Sequence, residues 1–141
     1  MTFFVDANVV VYAATEGPYH DSCVDILGAI AVGEADGRTS TAVLEEVWHV
    51  ELSGRAGDLS GLAENAYTIF TPLLTVDDEV VGSALGLSTV TLGANDRIHV
   101  ATCALHEIDT IVSADTDFDR VRGLRRVDPL DRRALARALG T

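Results

Sequence analysis

The chain alternates short runs of β-branched and aromatic residues with longer segments of helical periodicity. The runs "TFFV" (2–5), "RTSTA" (38–42), "DTIVS" (109–113) and "LRRV" (124–127) are predicted strands, and "RTSTA" is expected to end in capping residues for the next helix. Between the first two, "HDSCVDILGAIAV" places apolar residues three or four positions apart, which is typical of a helix. Strands that alternate with helices form a parallel sheet covered on both faces. The sequence therefore predicts an α/β fold.

Further helices are predicted from the same periodicity and from capping residues. They cover residues 43–52, 58–70, 78–87, 94–107 and 128–139. Asp77 and Asp78 are candidate caps of the third of these, and Asn95 is a candidate cap of the fourth. The segment 94–107 is apolar on nearly all sides, so we expect it to be central.

Length and composition indicate one domain over residues 1–141. No apolar run approaches the roughly 20 residues that span a bilayer. The start of the chain, "MTFFVDANVV", lacks the basic leader of a signal peptide. Cys23 and Cys103 form neither a metal-ligand spacing nor a disulfide framework, so reduced, buried thiols are expected. Together these features predict a cytoplasmic location.

The acidic residues are placed where parallel sheets bind ligands. Asp6 ends the first predicted strand, Asp115 and Asp117 follow the third, and Asp96 opens a helix. Side chains beyond the carboxyl ends of neighbouring parallel strands meet in one cleft. Clustered carboxylates raise one another's pKa, and Mg²⁺ or Mn²⁺ would remove that penalty. The alternative is that Asp6 only caps a helix and "DTDFD" is a solvated loop.

Helix geometry separates the two adjacent glutamates of "VLEEVWHVEL". Val43, Val47 and Val50 lie within roughly 60° of one another around the helix axis. Glu46 falls on the rim of this stripe and Glu45 points nearer the solvent side, so Glu46 is the predicted member of the acidic cluster.

Several other classes of site are excluded by the residues present. A calcium loop beginning at Asp115 would need glycine and glutamate where the chain has Arg120 and Arg126. A P-loop needs a lysine, and the chain contains no lysine. The same absence argues against aspartate-nucleophile phosphatases and receiver domains.

Four segments, taken in order, resemble the PIN-domain ribonucleases, and in particular the VapC-type toxins of VapBC toxin–antitoxin pairs. They are "FFVDANVVVYA", "TSTAVLEEV", "NDRIHVATCA" and "IVSADTDFDRV", and the resemblance runs from residue 3 to about Pro129. It implies a three-layer α/β/α fold with a mostly parallel central sheet. It also implies an endoribonuclease that cleaves RNA with a water molecule activated by Mg²⁺ or Mn²⁺, forms a homodimer and is neutralised by a small antitoxin protein.

The resemblance also assigns roles by position. It implies four catalytic acids, namely Asp6, Glu46, Asp96 and Asp115. It implies metal binding by Asp6, Asp96, Asp115 and Asp117, with Asn8 and Ser113 in supporting positions. His49 and His99 each lie three residues after one of these acids, so each is either a neighbour of the site or an ordinary packed or surface histidine.

The charge distribution leaves one question open. The net charge is −12, which opposes general attraction to nucleic acid. Seven of the ten cations fall in the last 22 residues, at Arg120, Arg122, Arg125, Arg126, Arg132, Arg133 and Arg137. Arg132 and Arg133 could contact RNA phosphates, or they could form a solvated helix face that balances Asp128 and Asp131. The remaining alternative for the whole chain is a catalytically silent PIN-like module that binds RNA or a protein.

Overall fold

A computed structural model describes residues 1–88 and 91–140. Its sheet has the order β2-β1-β3-β4, and every neighbouring pair of strands is parallel. The strands are β1 (Thr2–Val5), β2 (Asp36–Arg38), β3 (Thr110–Val112) and β4 (Arg125–Val127). Because β1 pairs with β3, the residues that follow these two strands lie side by side at the carboxyl edge of the sheet.

Helices connect and cover the strands. They are α1 (Ala7–Ala13), α2 (His20–Ala31), α3 (Thr41–Ser53), α4 (Leu62–Phe70), α5 (Asp78–Leu85), α6 (Ala94–Leu105) and α7 (Arg132–Leu139). A 3₁₀ turn, Thr116–Arg120, follows β3. The predicted α/β/α architecture with a parallel sheet is confirmed. No helix in the described ranges is both long and apolar enough to cross a membrane.

The core is built on the two central strands. Phe3, Phe4 and Val5 of β1 are fully buried, as are Ile111 and Val112 of β3. Strands covered on both faces by helices read as continuous apolar runs, which explains why "TFFV" and "TIV" lack alternation. Removing this apolar area from water is the main stabilising contribution to the fold.

Two helices begin later than predicted because local side chains hold turns in front of them. The Asp58 carboxylate accepts hydrogen bonds from Ser60, and Gly61 adopts a left-handed φ of 87°, so α4 begins at Leu62 rather than at 58. The closing helix begins at Arg132 rather than at 128, because Asp131 accepts a hydrogen bond from the Ala134 amide and caps it there.

Two other local predictions are wrong. Strand β2 is Asp36–Arg38 rather than 38–42, because the next two side chains make other bonds. The Thr39 hydroxyl donates to the Val5 carbonyl, and Ser40 accepts from the Val43 amide and caps α3. Asn95 is not the cap of α6. Gly93 occupies the cap position, and Asn95 lies in the first turn.

Candidate metal centre

Asp6 lies at the carboxyl end of β1 and faces a cluster of polar side chains. Its carboxylate accepts hydrogen bonds from the Ala7 amide at 2.8 Å, the Ser113 hydroxyl at 2.7 Å and the Asn8 amide at 3.2 Å. Only 5% of the residue is exposed. Asp6 therefore caps α1 and belongs to the cluster, so the capping reading and the functional reading of this residue do not exclude each other.

Ser113 joins the ends of β1 and β3. Its hydroxyl donates to Asp6, and its oxygen also accepts from the Asn8 side-chain amide at 3.1 Å and from the Asp115 backbone amide at 3.0 Å. The Asn8 carbonyl oxygen in turn accepts from the Ala114 amide at 3.2 Å. Asn8 and Ser113 thus both contact Asp6, whereas the resemblance implied that role for Asn8 alone.

Asp96, Asp115 and Asp117 form one group of possible ligands. One carboxylate oxygen from each lies within 4.8 Å of the others. Asp96 comes from the first turn of α6, and Asp115 caps the 3₁₀ turn by accepting from the Asp117 amide at 2.9 Å. Two segments of the chain, the start of α6 and the 3₁₀ turn after β3, therefore come together in the structure.

Glu46, Asp6 and His99 form a second group with the same spacing. His99 Nε2 lies 2.7 Å from Glu46 Oε1 and 3.8 Å from Asp6 Oδ1. Glu45 points the other way, towards His49 at 3.7 Å, and both of those side chains are largely exposed. The helix-geometry argument is consistent with this placement, because Glu46 rather than Glu45 reaches the cluster.

His99, which the sequence offered together with His49 as a possible neighbour of the site, belongs to the cluster. It is fully buried, packs against Phe4 with ring centroids 5.6 Å apart, and hydrogen-bonds Glu46. Its spacing of three residues from Asp96 was the available signal. His49 shares that kind of spacing with Glu46 and lies on the surface instead.

The cluster is electrostatically unfavourable without a counter-charge. Burial, together with the charges of Asp115, Asp6 and Glu46, raises the pKa of Asp96 to about 6 against a small opposing effect of His99. Burial also raises the pKa of Asp6, although His99, Ser113 and the Ala7 amide act in the opposite direction. The pKa of His99 is raised as well, because the Glu46 hydrogen bond and nearby carboxylates outweigh the effect of burial.

The donor set fits a divalent cation. Five carboxylates in two groups supply hard oxygen ligands, which suit Mg²⁺ and Mn²⁺. Burial raises the pKa of Asp6 and of Asp96, and the charges of Asp115 and Asp6 raise that of Asp96 further, so a bound cation would offset both effects.

Comparison with known families decides the class of the protein. The family model for the PIN domain matches residues 3–124. The chain belongs to the PIN-domain family. PIN domains are generally nucleases and typically use divalent metals, and the acidic cluster of this PIN domain could bind one.

Three solved structures share the fold of this PIN domain. VapBC2 from Rickettsia felis, bound to a promoter DNA fragment, matches with a TM-score of 0.69 and 19% identity. The match covers 91% of this chain and 98% of the VapBC2 chain. A toxin–antitoxin complex from Klebsiella pneumoniae has a TM-score of 0.65 and 16% identity, with 89% and 96% covered. FitAB bound to the IR36 DNA fragment has a TM-score of 0.54 and 15% identity, with 90% and 94% covered. Comparison with curated proteins finds no significant match.

The arginines of the PIN domain divide into two kinds. Arg126 is only 12% exposed and donates to Asp119, Asp128 and the Ser113 carbonyl, so it joins the 3₁₀ turn to β4. Arg132 and Arg133 are exposed at the start of α7, which follows the carboxyl end of β4. Arg132 reaches Asp25 at 3.3 Å, rather than the Asp128 or Asp131 expected in the solvated-face reading.

Proposed function

We propose that this PIN domain is a Mg²⁺- or Mn²⁺-dependent endoribonuclease that acts in the cytoplasm as the toxin of a toxin–antitoxin pair. The observation that carries the proposal is the meeting of Asp6, Glu46, Asp96 and Asp115 at one edge of a PIN-family sheet, with Asp117 beside them. The structural neighbours support the toxin assignment, because all three are described as, or named like, toxin–antitoxin complexes.

The proposed site gives each side chain a distinct part. Asp6, Asp96, Asp115 and Asp117 would hold the cation, and Asp6 is fixed for this purpose by its hydrogen bonds to Ser113 and Asn8. When bound, the cation offsets charge on the scissile phosphate and makes water a better nucleophile.

Glu46 is the proton acceptor in the proposed reaction. One of its oxygens accepts from His99, while 30% of the side chain is exposed to solvent at the cluster. Its second oxygen can therefore accept the proton released when water attacks phosphorus in line. As the new bond from water oxygen to phosphorus forms, the bond from phosphorus to the 3′-oxygen breaks and that oxygen takes a proton from solvent, so the products are a 5′-phosphate and a 3′-hydroxyl.

Exposed apolar side chains on α3 and α4 support the proposal that the protein binds a partner protein and a second copy of itself. Trp48, Leu52 and Tyr67, on α3 and α4, are apolar or aromatic side chains that are more than half exposed. Exposed apolar groups of this kind are typical of protein interfaces. We propose that a small antitoxin neutralises the protein and that the toxin itself is a homodimer. The product of a short reading frame next to the gene is the first partner to test.

The proposed chemistry is tested by cleavage of total RNA with and without Mg²⁺ or Mn²⁺, followed by mapping of the new ends. We expect metal-dependent cleavage by the wild-type chain and at least a hundredfold loss in Asp6→Asn and Glu46→Gln, on the order of the losses seen when a group with a direct catalytic role is removed. Glu45→Gln is the matched control, because it removes the same charge one residue away and should retain activity. Full cleavage by Asp6→Asn would remove the proposal.

If the chain is instead a catalytically silent module, measurements on the same protein should give a different result. Such a module should bind Mn²⁺ poorly in calorimetry and should leave RNA intact, yet it should still bind RNA or a partner protein.

The toxin role is tested by induction in a bacterial host. Growth should stop with the wild-type chain, continue with Asp6→Asn, and recover when the product of the adjacent reading frame is co-expressed.

A further inference from the structure

The contact between His99 and Glu46 links two helices across the candidate site. His99 Nε2, on α6, lies 2.7 Å from Glu46 Oε1, on α3. Within residues 1–88 and 91–140, the Glu46 carboxylate makes no other hydrogen bond. We propose that His99 is a positioning residue that holds the Glu46 carboxylate in the site. This inference rests on the proposed function, in which Glu46 takes part in the reaction.

The core itself gives no reason for an imidazole at this position. His99 is fully buried, and its Nδ1 atom has no hydrogen-bond partner among the described residues. A buried polar atom without a partner is unfavourable for folding. An aliphatic side chain of similar size would fill the same space beside Phe4 without this penalty. The hydrogen bond to Glu46 is therefore the interaction in which the imidazole differs from an apolar residue.

The hydrogen bond does not depend on the charge of the imidazole. A carboxylate accepts from Nε2 only if that nitrogen carries a proton. Both the neutral Nε2–H tautomer and the imidazolium carry it there. In either form the proton shared with Glu46 is on Nε2, while Nδ1 has no hydrogen-bond partner among the described residues.

Without the hydrogen bond from His99, the Glu46 side chain would be free to turn out of the site into solvent. Its side chain is 30% exposed, and glutamate has three rotatable torsions whose freedom favours extended conformations in water. The imidazole also lies 3.8 Å from Asp6 Oδ1, so one buried ring fixes Glu46 relative to the carboxylate that ends β1. Such fixed spacing is what precise catalytic geometry requires.

The test compares His99→Leu, His99→Gln, Glu46→Gln and the double variant His99→Leu/Glu46→Gln. Leucine removes the donor and fills the space, whereas the glutamine amide can place its nitrogen near the original Nε2. We expect His99→Leu to resist urea at least as well as the wild type and to cleave a single-stranded RNA about 10- to 100-fold more slowly, in the range typical of residues that orient metal-site groups. His99→Gln should recover most of the rate, and His99→Leu should cause no further loss in the Glu46→Gln background.

A purely structural role for His99 predicts the opposite pattern. His99→Leu would then lower the rate by the same factor with or without Glu46, or a folded His99→Gln would recover nothing. Either result would overturn the proposal. So would an unchanged rate in a folded His99→Leu.

Nitrogen NMR of the imidazole separates this inference from the proposed function. The proton should reside on Nε2, the Nε2 signal should shift in Glu46→Gln, and it should keep its proton when Mg²⁺ is added. An Nε2 signal indifferent to Glu46→Gln, or loss of its proton to direct ligation, would overturn the positioning role. If the wild-type chain cleaves no RNA, the nuclease proposal fails, whereas the NMR result still decides whether His99 holds Glu46.

Discussion

Ser113 donates a 2.7 Å hydrogen bond to Asp6, although 107 positions separate the two residues in sequence. The bond forms because β1 and β3 are parallel neighbours and both residues follow the last paired positions, Val5 and Val112. The carboxylate at the start of the chain is therefore oriented by a hydroxyl from its last third.

Replacing Ser113 by alanine should affect both the site and the fold. The variant leaves the buried Asp6 carboxylate without one of its three donors, and the pKa of Asp6 should rise further because that hydrogen bond lowers it. We expect about 2 kcal/mol less stability in urea unfolding at pH 7.5, on the scale of a hydrogen bond to a charged group, and slower RNA cleavage. Ser113→Thr keeps the hydroxyl and should retain more activity than the alanine variant. Equal activity in Ser113→Ala and the wild type would contradict this role.

The stability of the metal-free protein should fall as pH rises through the titration of Asp96. Its pKa is about 6 in the folded chain, against an ordinary value of 3.8, so the folded state binds more protons than the unfolded state between these values. Stability attributable to this group is therefore present at low pH and lost as pH approaches and passes about 6. Thermal unfolding in a chelator, followed from pH 5 to pH 7.5, measures the effect.

Asp96→Asn and a divalent cation should each reduce that pH dependence. Asparagine removes the unfavourable charge, so the metal-free variant should unfold at a higher temperature than the wild type at pH 7.5, but it should lose most of the stabilisation produced by Mn²⁺. At a Mn²⁺ concentration 100 times its Kd, binding raises the free energy of unfolding of the wild-type chain by about 2.7 kcal/mol. Glu34→Gln, which removes an exposed acid elsewhere, is the control for net charge. Mn²⁺ stabilising Asp96→Asn as strongly as the wild type would refute the ligand assignment.

Arg126 should matter for stability and Arg125 should not. Arg126 is largely buried, and its guanidinium group donates to Asp119, Asp128 and the Ser113 carbonyl. Arg126→Met leaves these acceptors unpaired, so we expect a loss of about 2 kcal/mol in urea unfolding. Arg125→Met, at the exposed neighbouring position of β4, should change stability by no more than about 0.5 kcal/mol. Similar losses in the two variants would show that the buried contacts contribute little.

The exposed arginines of α7 provide a test of RNA contact. If Arg132 and Arg133 bind phosphates, Arg132→Ala/Arg133→Ala should reduce the slope of log affinity for single-stranded RNA against log salt concentration by about 1.4. Arg55→Ala is a suitable control, because Arg55 follows the far end of α3 from the site. The measurement uses Asp6→Asn protein, so that the RNA stays intact. A slope unchanged by the double substitution would indicate a solvated helix face.

The sequence predicted the fold class because its strands are short apolar runs separated by helical periodicity. The positions of Asp6 and Asp115 at strand ends predicted a common cleft only if the two strands were neighbours, and the pairing of β1 with β3 meets that condition. Glu46 could be preferred to Glu45 from helix geometry alone, because the buried side of α3 is marked by Val43 and Val47.

The remaining features depend on contacts that periodicity does not encode. The start of α4 is set by hydrogen bonds of Asp58, and the cap of α6 is a glycine that makes no side-chain bond. The pairing of His99 with Glu46 depends on how α3 and α6 pack against each other. A spacing of three residues places a histidine on the same helix face as an acid, but it does not distinguish the buried His99 from the exposed His49.

The parallel pairing of β1 with β3 also sets an order of events during synthesis. Asp6 leaves the ribosome early, yet its hydroxyl donor and Asp115 are translated more than a hundred codons later. The acidic site therefore cannot be completed by a nascent chain that still holds these residues in the exit tunnel. A polypeptide released before Asp115, through a premature stop or early proteolysis, would be inert however well its first strand and helices had formed.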